Sequence, residues 1–177
     1  MSASPLLADG LEVTVAEPFE GYRLVDSGDG RKLEQFGAMR LVRPEPQAMW
    51  APADPAAWEI ADARFEGSDE EDGRGRWSGR LADWVVPCGP ARLICRIASN
   101  HHVGVFPEQH PHWVSAVAAI EGIEAPAVLN LFGYTGAASL VLAAAGAHVT
   151  HVDASKKAIA WGKENQVASG LEDAPIR

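Results

Sequence analysis

Pro126-Ala127-Val128-Leu129-Asn130-Leu131-Phe132-Gly133-Tyr134-Thr135-Gly136-Ala137-Ala138-Ser139-Leu140, continuing through Gly146 to Val149-Thr150-His151-Val152-Asp153, is the stretch that decides the fold. Ala127 to Phe132 is a short apolar run of strand length, and Gly133 to Gly136 turns the chain. Ala137 to Ala145 is rich in alanine and leucine, both strong helix formers, and it stops at Gly146, which suits a left-handed cap. Ala147 to Val152 reads as a second strand ending on Asp153. Ser155 can cap a helix from Lys156 to about Ala168, closed by Ser169-Gly170. Strand, helix, strand, helix with short links is the pattern of parallel strands joined by crossover helices, so an α/β fold is predicted.

Working backwards, residues 100 to 124 begin with His101-His102-Val103-Gly104-Val105-Phe106-Pro107-Glu108-Gln109. Trp113, Ala116, Val117 and Ile120 then recur at helical spacing, with Pro111 in the first turn, where its missing N–H costs nothing. His101, His102, His110 and His112 fall within twelve residues. No carboxylate or cysteine stands at a matching distance, so no metal is expected.

The front of the chain, to about Ser99, is predicted to be β-rich. Tyr22 to Val25 and Lys32 to Phe36 flank the turn formers Asp26-Ser27-Gly28-Asp29-Gly30 and read as a hairpin. Further strands are expected at Trp58 to Phe65, Arg76 to Ser78 and Ala91 to Ile97. Trp50, Trp58, Trp77 and Trp84 are expected to pack a small core rather than to stack on bases. The acidic run Gly67 to Gly75 lacks the spacing of a cation-binding loop and reads as exposed. Cys88 and Cys95 fit no zinc pattern and read as reduced, buried thiols. Two domains are therefore expected: residues 1–99, small and β-rich, and residues 100–177, of α/β type.

Net charge is −9, from 24 acidic and 15 basic residues, and both parts are acidic. A protein that holds nucleic acid through its own surface usually presents a basic face, and none is visible here. There is no apolar run of membrane-spanning length and no secretory signal pattern, so a cytoplasmic location with no membrane partner is expected. The oligomeric state is not legible.

In α/β sheets of this kind ligands sit beyond the carboxyl ends of the strands. Gly133 and Gly136 can bring backbone close to a ligand there. Asp153 follows about 20 residues after the first turn, the place from which a carboxylate accepts bonds from ribose hydroxyls. A dinucleotide fold wants Gly-x-Gly-x-x-Gly, but Asn130 to Phe132 put bulk where the first glycine belongs. A nucleoside cofactor without phosphates fits better, and S-adenosylmethionine is the common one. A nicotinamide-dependent oxidoreductase and a non-catalytic module that folds with a partner stay open as alternatives.

Val128 to Ser139, with its Asn-x-Phe-x-Tyr-Thr-Gly core, resembles motif I of the bacterial large-subunit ribosomal RNA methyltransferases, class I enzymes of Rossmann-like fold. His151-Val152-Asp153-Ala154-Ser155-Lys156-Lys157-Ala158 resembles the same family's next motif, and Asn165 an asparagine late in the following helix. Gly104 to Gln109 is similar to the segment that closes over the cofactor, and Tyr22 to Pro46 to the N-terminal β domain of one branch. The resemblance implies a small β-rich domain followed by the first βαβα part of a Rossmann-like domain. S-adenosylmethionine would be held by Asn130, Phe132, Gly133, Tyr134, Thr135, Gly136, Asp153 and Ala154, with Phe106 and Gln109 at the entrance. Asn130 would face the methionine moiety and Asp153 the ribose, and RNA would be the substrate. The family's later Asp/Asn-Pro-Pro loop has no counterpart here. The catalytic residues are therefore expected beyond Arg177, and a C-terminally truncated chain is expected to be inactive alone.

Overall fold

The computed structural model describes residues 6–7, 11–12, 18–67, 75–79 and 81–177. The acidic run read as a loop lies, but for its end glycines, outside the described residues. Strands β1 (Leu6–Leu7) and β2 (Leu11–Glu12) pair antiparallel. A five-stranded sheet follows in the order β3 (Tyr22–Gly28), β4 (Arg31–Phe36), β5 (Met39–Pro44), β6 (Ala63–Gly67) and β7 (Gly75–Ser78). Between β5 and β6 runs the short helix α1 (Pro55–Glu59), which makes that one pairing parallel. Strands β8 (Trp84–Cys88) and β9 (Ala91–Cys95) form a separate hairpin.

Helix α2 (His110–Ile120) follows a 3-10 turn at Pro107–Gln109. Then come β10 (Ala127–Leu131), α3 (Ala137–Ala144), β11 (His148–Val152) and α4 (Lys156–Ala168). β10 and β11 pair in parallel, Asn130 opposite His151. Residues 175–177 begin a further parallel neighbour of β11, with Val149 N–H donating to the Pro175 carbonyl at 2.8 Å and His151 N–H to that of Arg177 at 2.8 Å. The predicted caps hold: Gly146 and Gly170 have positive φ, and Ser155 Oγ accepts from the Ala158 N–H at 3.2 Å.

The strand expected over Trp58 to Phe65 is corrected. Its first two residues, Trp58 and Glu59, end α1, and only Ala63 to Phe65 lie in β6, because Asp54 caps the helix, Pro55 presets its first turn, and Trp58 is held from outside. A bulge in β3 between Leu24 and Asp26 turns the Asp26 carboxylate toward α1. There it accepts from Trp58 Nε1 at 2.8 Å and Asp54 N at 3.0 Å, and those bonds, the indole's first, hold its pKa at about 2. Trp58 and Trp84 are buried and Trp77 partly so, but Trp50 is 57% exposed, its indole N–H donating to the Ser27 carbonyl. Trp50 is thus no core residue. Cys88 and Cys95 are buried on neighbouring strands, and burial raises their thiols to about 11 and about 12, so both are protonated.

One apolar cluster runs from Phe36, Leu41 and Ala63 through Val86, Leu93 and Cys95 to Val103, Trp113, Ala137 and Leu140. It joins the front sheets to α3, while Ala116, Val117 and Ile120 of α2 pack on Leu142 and Ala143. The open edge of β9 is covered by α4 rather than by a strand. Ser169 Oγ accepts from Arg92 N at 2.9 Å, Asn165 Oδ1 from Ile94 N at 2.8 Å, and Trp161 Nε1 donates to Ile94 O at 2.9 Å. Side chains four apart on a helix stack about 6 Å apart, close to the two-residue repeat of a strand, so the row fits the ladder. Asn165 is fully buried, and its Nδ2 also donates to the Thr135 carbonyl at 2.9 Å.

Asn165→Ala would leave the Ile94 N–H and the Thr135 carbonyl without partners. We expect a loss of about 1–3 kcal/mol, read as a lower denaturant midpoint at unchanged slope.

Candidate functional site

The turn after β10 is built against ordinary backbone preference. Phe132, Tyr134 and Gly136 have φ of 54°, 49° and 87°, and two of the three carry a Cβ. Bonds on every side hold it. Gly133 N–H donates to the Val152 carbonyl at 3.0 Å, Gly136 N–H to that of Gly133 at 2.9 Å, and Tyr134 N–H to Asp153 Oδ2 at 2.8 Å. Thr135 is buried, and its hydroxyl donates to the Gly104 carbonyl at 2.5 Å. The turn thus rests on β11 from one side and on the Gly104 segment from the other.

That segment is itself pinned. Glu34 and Arg43, both buried, pair in two-point geometry at 2.7 and 2.8 Å, and Arg43 Nη1 donates to the His101 carbonyl at 3.2 Å. Burial pushes the Glu34 carboxyl up, but the Arg43 guanidinium prevails and holds it below its ordinary value. Arg96 N–H donates to the Val103 carbonyl at 3.1 Å. Gly104, at φ 110°, lies so close to Trp161 that a Cβ there would come within 2.5 Å of its ring.

Between the pinned segment, α2 and the turn lies a cavity of about 650 Å³, within the size range of small-molecule sites. Seven of the ten residues expected to hold a cofactor line it: Asn130, Phe132, Gly133, Tyr134, Thr135, Phe106 and Gln109. The Phe106 and Tyr134 rings meet at 5.0 Å as one wall. Burial raises the Tyr134 phenol to about 12, so it stays neutral at physiological pH. Gln109 Oε1 lies 2.9 Å from His112 Nδ1 at the mouth. Phe132 is 92% exposed.

Gly136, Asp153 and Ala154 stand outside that lining. Gly136 opens α3 and borders a smaller cavity shared with Ser139, His151 and Lys163. Asp153 is half-buried beside the turn, its Oδ1 accepting from the Ser155 N–H at 2.7 Å and its Oδ2 from Tyr134. Each oxygen keeps a second lone pair for a ligand. Ala154 is exposed. Asn130 Nδ2 donates to Ser139 Oγ at 2.9 Å, and Ser139 Oγ lies 2.9 Å from His151 Nδ1. Sequence reasoning missed Ser139 and His151. The signal was there, since pairing the two strands in parallel puts His151 opposite Asn130.

No protein-family model matches the chain. The S-adenosylmethionine-dependent methyltransferase of Agrobacterium tumefaciens is similar to it at 55% identity and TM-score 0.83, over 89% of this chain and 51% of that one. A protein described as a methyltransferase and solved with S-adenosylhomocysteine shares the fold, at TM-score 0.67 and 19% identity over 89% of this chain and 44% of that one. The ribosomal RNA large subunit methyltransferase K/L of Acinetobacter baylyi is 33% identical over 110 residues, which is 62% of this chain and 14% of that protein. The chain thus spans about half of the Agrobacterium protein, and 6% to 14% of the curated relatives it matches. The α/β architecture read from residues 126–170 is that of its structural neighbours, which are S-adenosylmethionine-dependent methyltransferases.

A Cβ on Gly133 would lie 2.3 Å from the His151 ring. Gly133→Ala is expected to cost about 1–3 kcal/mol through overpacking, seen in denaturant unfolding together with a displaced His151 imidazole signal by NMR.

Proposed function

We propose that this chain holds S-adenosylmethionine at the turn Phe132–Gly136 and belongs to an enzyme that methylates RNA. The observation that carries the cofactor is the Asp153–Tyr134 bond, which fixes a carboxylate beside the strained turn whose residues 132–135 line the cavity. The residues fit the group. Leu131 stands where a dinucleotide fold needs its first glycine, and its bulk, with Phe132 beside it, leaves no bare cradle for a pyrophosphate. Asp153 would accept from the ribose hydroxyls through its free lone pairs. Phe106 and Tyr134 would wall the site, and Gln109 would close its mouth. Asn130 would offer its amide oxygen to the methionine end, its nitrogen being engaged by Ser139.

The cofactor supplies an electrophilic methyl on a cationic sulfur, so the leaving group needs no acid. What this chain contributes is a fixed position and exclusion of water from one side of the site. In the same reading residues 1–99 form a small β-rich domain, and residues 100–177 the front of a Rossmann-like one. RNA as substrate rests on the name carried by the curated relatives, while the net charge of −9 argues for only a local contact surface.

S-adenosylhomocysteine should bind the purified chain in a calorimetric titration, and Asp153→Ala should weaken it at least about tenfold, or about 1.4 kcal/mol. Asp153→Asn, which keeps an acceptor for the Tyr134 N–H, should fall between the two. Binding of NAD in place of S-adenosylhomocysteine would overturn the assignment.

A further inference from the structure

We infer that Asn130, Ser139 and His151 form a hydrogen-bonded brace beneath the turn, and that it supports cofactor binding only while His151 is neutral. The inference rests on the cofactor reading above. Asn130 and His151 face each other across the parallel pair β10–β11, on the side covered by α3, where Ser139 is 1% exposed. The two bonds, Asn130 Nδ2 to Ser139 Oγ and Ser139 Oγ to His151 Nδ1, are both 2.9 Å long. The imidazole lies directly against Gly133, within 2.3 Å of where a Cβ would stand, and its Nε2 is shielded from solvent. The ring therefore supports the turn from below while its polar chain ends on a residue that lines the main cavity.

Proton bookkeeping sets the active state. The Asn130 nitrogen can only donate, so Ser139 Oγ accepts from it and is free to donate its own proton to His151 Nδ1. The neutral imidazole then carries its proton on Nε2. Protonating the ring puts an N–H on Nδ1, facing the hydroxyl. The Ser139 oxygen must then accept from both the ring and the Asn130 amide, and its own proton must leave the row. The ring bond is thereby reversed and the buried hydroxyl proton loses its partner in the row, and an unmade bond in such a place is costly.

The charged groups around the ring pull both ways. Asp153 at the end of β11 and the Tyr134 backbone favour the cation, Lys163 on α4 opposes it, and Arg177 borders the same small cavity. Burial is the largest influence, and it holds His151 below the ordinary histidine value of 6.5. A lowered value means that the neutral form, and with it full affinity, is present at neutral pH. Affinity is lost only as the pH falls through that lowered value.

The test is calorimetric titration of S-adenosylhomocysteine into the wild-type chain, His151→Asn and His151→Phe, at steps between about pH 5 and 8. Wild type should lose affinity by about tenfold for each pH unit below the His151 value, as the binding-competent fraction shrinks. His151→Asn can place Oδ1 where Nδ1 stands and cannot take up a proton. Its affinity should be flat with pH and higher than that of His151→Phe, which offers no acceptor. Imidazole NMR of the wild-type chain at about pH 8 should show the His151 proton on Nε2. A flat wild-type profile, an acid loss retained in His151→Asn, or a proton on Nδ1 would each overturn the inference and leave the cofactor reading standing. No binding by wild type at any pH would remove the cofactor reading and the inference together.

Discussion

Everything near the candidate site depends on one buried amide. Asn165 accepts from the β9 backbone with its oxygen and donates to the Thr135 carbonyl with its nitrogen. The front hairpin and the strained turn are therefore fixed to the same point on α4. A buried amide is tolerable only when both of its ends are satisfied. Here both partners are main-chain groups that would themselves be orphaned without it. An apolar residue of the same size could fill the space but not meet either demand.

Strain in the turn and rigidity around it are two sides of one arrangement. Two residues with side chains, Phe132 and Tyr134, sit at left-handed φ, a conformation that costs about 1–2 kcal/mol each. Such a turn persists only when its surroundings leave it no cheaper shape. The Val152 carbonyl, the Asp153 carboxylate, the Gly104 carbonyl and Asn165 supply those surroundings from three separate parts of the chain. The buried Glu34–Arg43 pair extends the support into the front sheet by holding the His101 carbonyl. The front strands thus act on the cavity wall without touching the cavity.

What was legible from sequence follows from where local signals are strong. Residues 126–170 read correctly because each element carries its own punctuation: Pro126 before β10, Gly146 after α3, Ser155 and Gly170 around α4. Seven of the ten expected site residues share one cavity because six of the ten lie within a single turn and its approach. The front of the chain was harder. Residues 58–65 look strand-like in composition, yet Asp54, Pro55 and the distant Asp26 carboxylate make the first of them helical. β5 and β8 went unread although Gly37 and Gly89-Pro90 mark the turns beside them. Trp50 was misplaced because an indole N–H can be satisfied at the surface by Ser27 as well as in a core. His151 was overlooked because its role comes from a partner on another strand, which only the register reveals.

The helix that covers the β9 edge also sets an order of events during synthesis. Arg92 and Ser169 are 77 residues apart, so β9 leaves the ribosome well before its cover exists. At about 5–20 residues per second, that edge waits roughly 4–15 s with its N–H and C=O groups unpaired. An open edge strand invites pairing with another chain. β9 contains Arg92 and is followed by Arg96, and a charge in or beside an edge strand discourages that pairing. The same Arg96 later closes on Asp83 and Glu164 once α4 arrives. One side chain thus guards the nascent strand first and fastens its cover afterwards.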